Sequence, residues 1–233
     1  MDTSYRDFNP ALDHLRDNRT SGAIDLALEA IDLAESWLAA GRNPPVLARE
    51  LAAMQPAIAT VRNVGALLLQ GADDLAAALR DLRRSLAEGN RRITEKLQTL
   101  VPADAAVITL SNSSTVRDAL LAVRPRSVRI LESLPGGEGA EMAAALREGA
   151  GRVAGLANVA VIPDAAMGNA VPRVDYALVG IDAFDRTGAV LHKLGTLPLA
   201  LCCRHYKKPF YVAGHSFKFT DREFSGLPNR GLT

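Results

Sequence analysis

Small polar residues follow an apolar run in ITLSNSSTV, residues 108–116. Ser111, Asn112, Ser113 and Ser114 supply three hydroxyls and a carboxamide, and the VRDALLAV stretch that follows predicts a helix. Ser113 or Ser114 can cap that helix, or the whole cluster can cradle a phosphate with its hydroxyls and backbone amides. The sequence contains neither GxxxxGK[ST] nor GxGxxG after a strand, so it indicates neither nucleotide hydrolysis nor a dinucleotide fingerprint.

A carboxylate and a lysine add to this chemistry further along the chain. Asp182 directly follows the apolar run YALVG, where a partly buried carboxylate can serve as a general base. Lys193 precedes the apolar stretch LPLALCC, and with the backbone of Gly195 and Thr196 it predicts an anion site. The alternative for Lys193 is a solvated loop lysine.

Other polar residues can have a structural role instead of a role in ligand binding. Glu132 ends a predicted strand, and Glu138, near the start of a predicted helix, can simply complement the helix dipole. Lys218 lies between two phenylalanines in FKF, where core packing with a charged tip reaching solvent is equally compatible. Cys202 and Cys203 are adjacent and mid-helix, which favours packing over reactivity. The four histidines lack paired spacing, so we predict no metal site.

The composition narrows the class of partners. Lys and Arg number 27 against 26 Asp and Glu, so the chain lacks the basic surplus that holds nucleic acid or an anionic membrane. We find no apolar stretch typical of a signal peptide or a membrane span. The two adjacent cysteines cannot form an ordinary disulfide framework, which fits a reducing cytoplasm. We therefore expect a cytoplasmic globular protein that binds neither nucleic acid nor membrane.

The elements that must position these residues fall into two regions. Residues 1–101 predict a helical subdomain, with helices over about 21–41, 46–69 and 72–100, and residues 102–233 predict a ligand-binding domain. In the second region, apolar β-prone runs at 106–110, 127–131, 158–162, 176–180 and 209–213 alternate with helices at about 114–123, 138–155 and 195–206.

This alternation predicts an α/β fold with a mostly parallel sheet that is covered on both faces. The turn residues 185–188 (DRTG) predict a small hairpin or a loop after the fourth strand. Ligands of such sheets bind beyond the carboxyl ends of the strands, which is where the polar residues named above lie in sequence.

Several ordered motifs between residues 108 and 219 together resemble a known family. ESLPGGEGAEMA, IPDAA, VDYALVGIDAF, HKLGTLPLAL, KKPFYVAG and SFKF are similar, in this order, to the initiation factor 2B alpha/beta/delta-related family, which includes methylthioribose-1-phosphate isomerase and ribose-1,5-bisphosphate isomerase. A weaker similarity covers residues 19–23 (RTSGA), which include Arg19, Gly22 and Ala23, and residues 54–63 (MQPAIATVRN).

The resemblance implies a helical N-terminal domain and a Rossmann-like C-terminal domain of the NagB/RpiA/CoA-transferase type. It implies homodimers built through the C-terminal domain and a phosphorylated sugar or mononucleotide at the strand ends. We expect no cofactor. Its ligand-facing positions correspond here to Arg19, Gly22, Ala23, Asn112, Ser113, Ser114, Glu132, His192, Lys193, Gly195, Thr196 and Lys218.

Three positions depart from the isomerase pattern. In the isomerases a cysteine after the first strand and an aspartate in the GxD segment form an acid/base pair; Asp182 keeps the aspartate, but Ser111 occupies the cysteine position. A thiol with a pKa of about 8.5 exchanges protons near neutrality, whereas an unactivated serine does not, so we doubt a catalytic role for Ser111. Gln55 replaces an arginine, and His192 replaces an asparagine.

Three hypotheses follow. The first is a family member that binds a phosphorylated sugar or nucleotide. The second is an aldose-phosphate to ketose-phosphate isomerase in which Asp182 is the base and His192 or His215 is the acid, because histidine titrates near neutral pH. The third is a non-catalytic regulatory subunit that acts through protein contacts.

Overall fold

The computed structural model describes residues 8–18, 21–54, 58–71, 74–102, 104–152, 158–221 and 224. Helices within these residues are α1 (Asn9–Asp17), α2 (Ala23–Ala39), α3 (Pro44–Ala53), α4 (Ala59–Leu69), α5 (Leu75–Leu100), α6 (Ser114–Val123), α7 (Glu138–Arg152), α8 (Met167–Ala170) and α9 (Thr196–His205). Strands are β1 (Ala106–Thr109), β2 (Ser127–Leu131), β3 (Val159–Ile162), β4 (Tyr176–Val179), β5 (Ala183–Phe184), β6 (Val190–Leu191) and β7 (Phe210–Val212).

The first five helices pack around an apolar core that includes the fully buried Trp37 and Leu47. The prediction of one helix over 46–69 is wrong, because α3 ends at Ala53 and α4 begins at Ala59. Pro56 in the intervening sequence is the type of residue that interrupts helices. Helix α5 joins both regions: Leu79 packs in the helical core, and Leu97 packs in the core under the sheet.

Five parallel strands form the main sheet in the order β3-β2-β1-β4-β7, which confirms the predicted α/β class. Adjacent residues of β1 point to opposite faces, as strand geometry requires. Val107 packs with α5, α6 and α7, whereas Ile108 packs with α8 and α9. The sheet is therefore covered by helices on both faces.

A two-stranded antiparallel hairpin follows β4 and confirms the turn prediction for residues 185–188. Strands β5 and β6 pair through Ala183 with Leu191 and Phe184 with Val190. The Asp182 N–H donates to the Leu191 carbonyl at 2.8 Å, so the hairpin base fixes Asp182 beside His192. Among the described residues, no helix is long and apolar enough to cross a membrane.

Candidate functional site

A narrow cleft lies where the chain reverses its direction of winding across the sheet. Strands β2 and β3 lie to one side of β1, whereas β4 and β7 lie to the other, so the carboxyl ends of β1 and β4 flank a topological switch point. The cleft has a volume of about 20 Å³, room for one or two waters. Its walls are formed by Ser21, Gly22, Ala23, Ile24, Ser111, Asn112, Ser113, Ser114, Ile181, Asp182, His192, Lys193 and Lys218.

The serine-rich loop after β1 forms one wall. Ser113 is the N-cap of α6, because its Oγ accepts a hydrogen bond from the Val116 N–H at 3.4 Å. The capping interpretation is therefore correct for Ser113, and the same residue also lines the cleft. A hydroxyl that caps the helix can still present its other lone pair to a ligand.

The amino terminus of α2 forms the opposite wall. Gly22 is the N-cap of this 17-residue helix and supplies no capping side chain, and Asp25 lies in the first turn. A Cβ atom at Gly22 would lie 3.6 Å from the Ser114 Oγ and 3.8 Å from the Asn112 carbonyl oxygen. The positive ends of the α2 and α6 dipoles therefore meet at the cleft, where they favour an anion. Arg19 lies outside the described residues.

Two lysines reach the cleft, and both are largely buried. Lys193 forms an ion pair with Glu138 of α7; their side chains are 12% and 7% exposed. Lys218 is 2% exposed and donates from Nζ to the Ile181 carbonyl at 2.7 Å. The alternatives of a solvated Lys193 and a solvent-reaching Lys218 are therefore wrong. Two lysine charges therefore lie at one cleft, and the Glu138 carboxylate offsets the charge of Lys193.

Asp182 and His192 line the cleft from the hairpin, and Asp182 is 6% exposed. The His192 Nδ1 lies 3.0 Å from the Thr196 Oγ1, which itself donates to the Lys193 carbonyl at 2.8 Å. Because the threonine has given away its one hydrogen, Nδ1 of His192 must be the donor. The lone pair of a neutral His192 then belongs to Nε2.

A relay of hydrogen bonds at the ends of three strands holds the Ser111 backbone in the left-handed region. Ser111 has φ 64° and Ser133, after β2, has φ 63°. The Ser111 N–H donates to the Ser133 Oγ at 2.7 Å. Asp164, after β3, accepts from the N–H groups of Ser133 at 2.9 Å and Leu134 at 2.8 Å. These contacts stabilise a conformation that non-glycine residues rarely adopt.

Some predicted site residues do not line the cleft. Glu132, Gly195 and Thr196 are absent from its walls, and Thr196 contacts two residues that line it, His192 and Lys193. Glu132 instead uses its backbone, which receives the Gly139 N–H and donates to Ile162. A residue directly after a strand points toward the cleft only when its strand flanks the switch point, and β2 lies one strand away.

His215 is also absent from the cleft walls, which corrects its assignment as a candidate acid. Its Nε2 lies 3.1 Å from the Ser85 carbonyl, and its Nδ1 accepts the Phe217 N–H at 2.9 Å. Burial lowers the pKa of His215, and the positive charges of Lys218 and Arg92 lower it further, against the opposing bond to Ser85. His215 therefore joins α5 to the turn that carries Lys218.

Asn63 of α4 holds the same turn. Its Nδ2 donates to the carbonyls of Phe217 at 2.7 Å and Phe219 at 3.1 Å. With His215, this makes the helical region the support of Lys218. The supporting role of Asn63 was not predictable from sequence, because the carbonyls that it binds lie more than 150 residues away in sequence.

Cysteine and metal chemistry find little support in the described part of the chain. Cys203 is fully buried, and burial raises the pKa of its thiol to about 11, so packing is its role. No group of three His, Cys, Asp or Glu side chains in the described ranges is arranged to hold a metal ion.

Comparison with known proteins identifies the family. Residues 46–226 match the model of the initiation factor 2 subunit family (IF-2B). A translation initiation factor eIF-2B subunit 2-like protein of Pyrococcus horikoshii is 30% identical over 179 residues, covering 74% of this chain and 63% of that protein. Ribose 1,5-bisphosphate isomerase of Archaeoglobus fulgidus is 29% identical over 140 residues, covering 58% and 43%.

A solved structure extends the similarity to nearly the whole chain. The crystal structure of the Pyrococcus horikoshii OT3 translation initiation factor eIF-2B superposes with a TM-score of 0.83 at 26% identity, covering 96% of this chain and 84% of that one. The chain spans less than two thirds of the length of the two relatives described above. The chain belongs to the initiation factor 2 subunit family.

Proposed function

We propose that the protein binds a phosphorylated sugar or mononucleotide in the cleft between β1 and β4. The observation that carries this proposal is the meeting of two helix amino termini and two buried lysines at one switch point. Each feature favours an anion, and their convergence is the arrangement that phosphate sites on α/β sheets use.

The serine-rich loop supplies further donors to a phosphate. The Ser114 hydroxyl lies beside Gly22 at the start of α2, the Ser113 hydroxyl lies beside Gly180 after β4, and both serines line the cleft. The Ser111 N–H is already bonded to Ser133, so the phosphate contacts are assigned to Asn112, Ser113 and Ser114 rather than to the Ser111 amide.

The small volume of the cleft sets a condition on binding. A cleft of about 20 Å³ holds water but is too small for a sugar phosphate, so the ligand must displace cleft-lining side chains. Lys193 is ion-paired with Glu138, so a bound ligand must either displace the Lys193 side chain or contact it together with Glu138. Binding is therefore expected to require adjustment of the HKLGT segment.

Thermal shift measurements with a panel of sugar phosphates and mononucleotides test the proposal. A ligand that binds the folded chain raises the melting temperature by mass action, by an amount that grows with ligand concentration. We expect a shift for at least one phosphorylated ligand and none for the same sugar without phosphate. The variant Lys218→Met should lose the shift. The absence of a shift across the panel would contradict the proposal.

A second candidate function is isomerisation of an aldose phosphate to a ketose phosphate. The observation that favours it is that Asp182 and His192 line the same cleft, and a relative of this chain is a ribose 1,5-bisphosphate isomerase. Protonated His192 would donate to the ring oxygen as its bond to C1 breaks, and Asp182 would take the C2 proton and deliver it to C1. The O2 hydroxyl would return its proton to His192 as the C2 carbonyl forms, so both residues end in their starting states. Ser111 would take no part in proton transfer.

Incubation with ribose 1,5-bisphosphate and with methylthioribose 1-phosphate, followed by NMR, separates the two functions. Ketose formation that is abolished in Asp182→Asn would establish the isomerase. Binding without turnover would leave the binding protein, and neither binding nor turnover would favour a regulatory subunit that acts through protein contacts.

We further propose that residues 1–101 and 102–233 are separate domains and that the second one mediates a homodimer in the cytoplasm. Leu197 and Leu201 of α9 are 69% and 53% exposed, and Val212 of the adjacent edge strand β7 is also exposed. Apolar residues exposed on neighbouring elements are typical of subunit interfaces. Sedimentation of Leu201→Glu against the unaltered chain tests this: the variant should be monomeric.

A further inference from the structure

We propose that Glu138 sets the charge of the ligand that the cleft accepts, favouring a singly phosphorylated sugar or nucleotide over a doubly phosphorylated one. This inference rests on the proposed function. Glu138 does not line the cleft, but its carboxylate is ion-paired with Lys193, which does. It is therefore a specificity-determining residue that acts through the lysine.

The first turn of α7 directs two carboxylates at the cleft wall. Glu138 reaches Lys193, and Glu141 accepts from the Asn112 Nδ2 at 3.3 Å. The two residues are three positions apart and therefore share one face of the helix. Lys193 and Asn112 both line the cleft, so the two carboxylates of α7 affect the charge and polarity of the cleft without lining it themselves.

Two glycines fix Glu138 in its position. A Cβ atom at Gly136 would lie 2.5 Å and 2.7 Å from the two carboxylate oxygens of Glu138. A Cβ atom at Gly139 would lie 2.1 Å from the Leu131 carbonyl oxygen, so the start of α7 packs directly on the end of β2. Only residues without side chains permit this approach, and the carboxylate consequently has little freedom to move away from Lys193.

The charge balance of the cleft determines what it can bind. Lys193 and Lys218 contribute two positive charges, whereas Asp182 lines the cleft and the carboxylates of Glu138, Glu141 and Asp25 lie beside its walls. One phosphate can be held by the amino termini of α2 and α6 and by the two lysines, which would keep their present partners as well. A second phosphate would bring about two more negative charges toward a buried carboxylate whose cation is already occupied, which is costly at low dielectric.

The test measures the ratio of two affinities in the Glu138→Gln variant. Glutamine keeps the size of the side chain and an oxygen that accepts from Lys193, but it removes the charge. Ribose 5-phosphate and ribose 1,5-bisphosphate are titrated by calorimetry into the unaltered protein and the variant. Glu95→Gln, which removes an exposed carboxylate of α5, is the charge-matched control.

We expect Glu138→Gln to raise the affinity for the bisphosphate relative to the monophosphate by about tenfold, equivalent to ~1.4 kcal/mol, while Glu95→Gln leaves the ratio unchanged. A purely structural role for Glu138 would weaken both ligands alike. Binding by the unaltered protein with an unchanged ratio in the variant would overturn this inference and leave the proposed function standing. No binding of either ligand by the unaltered protein would overturn both the proposed function and this inference.

Discussion

Replacement of Gly89 by alanine tests how firmly His215 joins the helical region to the Lys218 turn. Gly89 lies within α5, and a Cβ atom there would approach the His215 ring to 1.9 Å at Cδ2 and 2.1 Å at Nε2. No rotation of the ring relieves this contact without breaking the bonds that it makes to Ser85 and Phe217.

The magnitude follows from three contributions. Loss of the two hydrogen bonds costs about 0.5–1.5 kcal/mol each, and displacement of a buried ring adds about 1–2 kcal/mol of lost packing. Alanine in place of glycine in a helix recovers at most about 1 kcal/mol. The steric and hydrogen-bonding loss therefore outweighs the gain in helix propensity, and Gly89→Ala should lower the free energy of unfolding by about 1–4 kcal/mol.

Urea denaturation of Gly89→Ala and of Gly168→Ala provides the measurement. Gly168 lies in α8 and has no atom within 4 Å of its added Cβ, so its replacement should be neutral or slightly stabilising. Gly89→Ala should also bind phosphorylated ligands more weakly, because the turn that carries Lys218 loses its support. A Gly89→Ala protein as stable as the unaltered chain would refute the role assigned to His215.

Four further predictions test other contacts. Because the pKa of His215 is lowered in the folded chain, the unfolded chain binds more protons below about pH 6.5. The free energy of unfolding should therefore fall as the pH drops from 6.5 toward the folded pKa. The urea midpoint of His215→Asn should not show this pH dependence. Asp164→Asn replaces one of two acceptor oxygens and should cost about 1–2 kcal/mol in urea unfolding, whereas no loss would contradict the strand-end relay. Asn63→Ala should cost a similar amount and weaken ligand binding, as calorimetry would show. Ser111→Cys should raise any isomerase turnover measured by NMR, and an unchanged rate would argue against the position assigned to the thiol.

The fold was predictable from sequence because its elements are local patterns. The alternation of apolar runs and helices placed all five parallel strands to within about one residue at each end, as the comparison of 127–131 with β2 illustrates. The break between α3 and α4 was missed because the apolar period continues across Pro56, and helix α1 was not assigned.

The site was predictable only in part, for a physical reason. Ser113, Asp182 and Lys193 follow strands or precede helices, and the topology of a parallel sheet brings such positions to one edge. Their partners could not be predicted, because Glu138 is 55 residues from Lys193 and Ser85 is 130 residues from His215. Which polar residue after a strand lines the cleft depends on strand order, and Glu132 follows β2, which does not flank the switch point.

The most direct test of phosphate binding in this cleft is a titration of the ¹⁵N-labelled protein with ribose 5-phosphate, followed by amide chemical shifts. We predict that the largest chemical shift changes fall on Gly22 and Ala23 at the start of α2 and on Ser113 and Ser114 at the start of α6. These changes should saturate as the ligand concentration rises. Amide shifts that stay unchanged at the cleft, or that change only elsewhere on the chain, would contradict it.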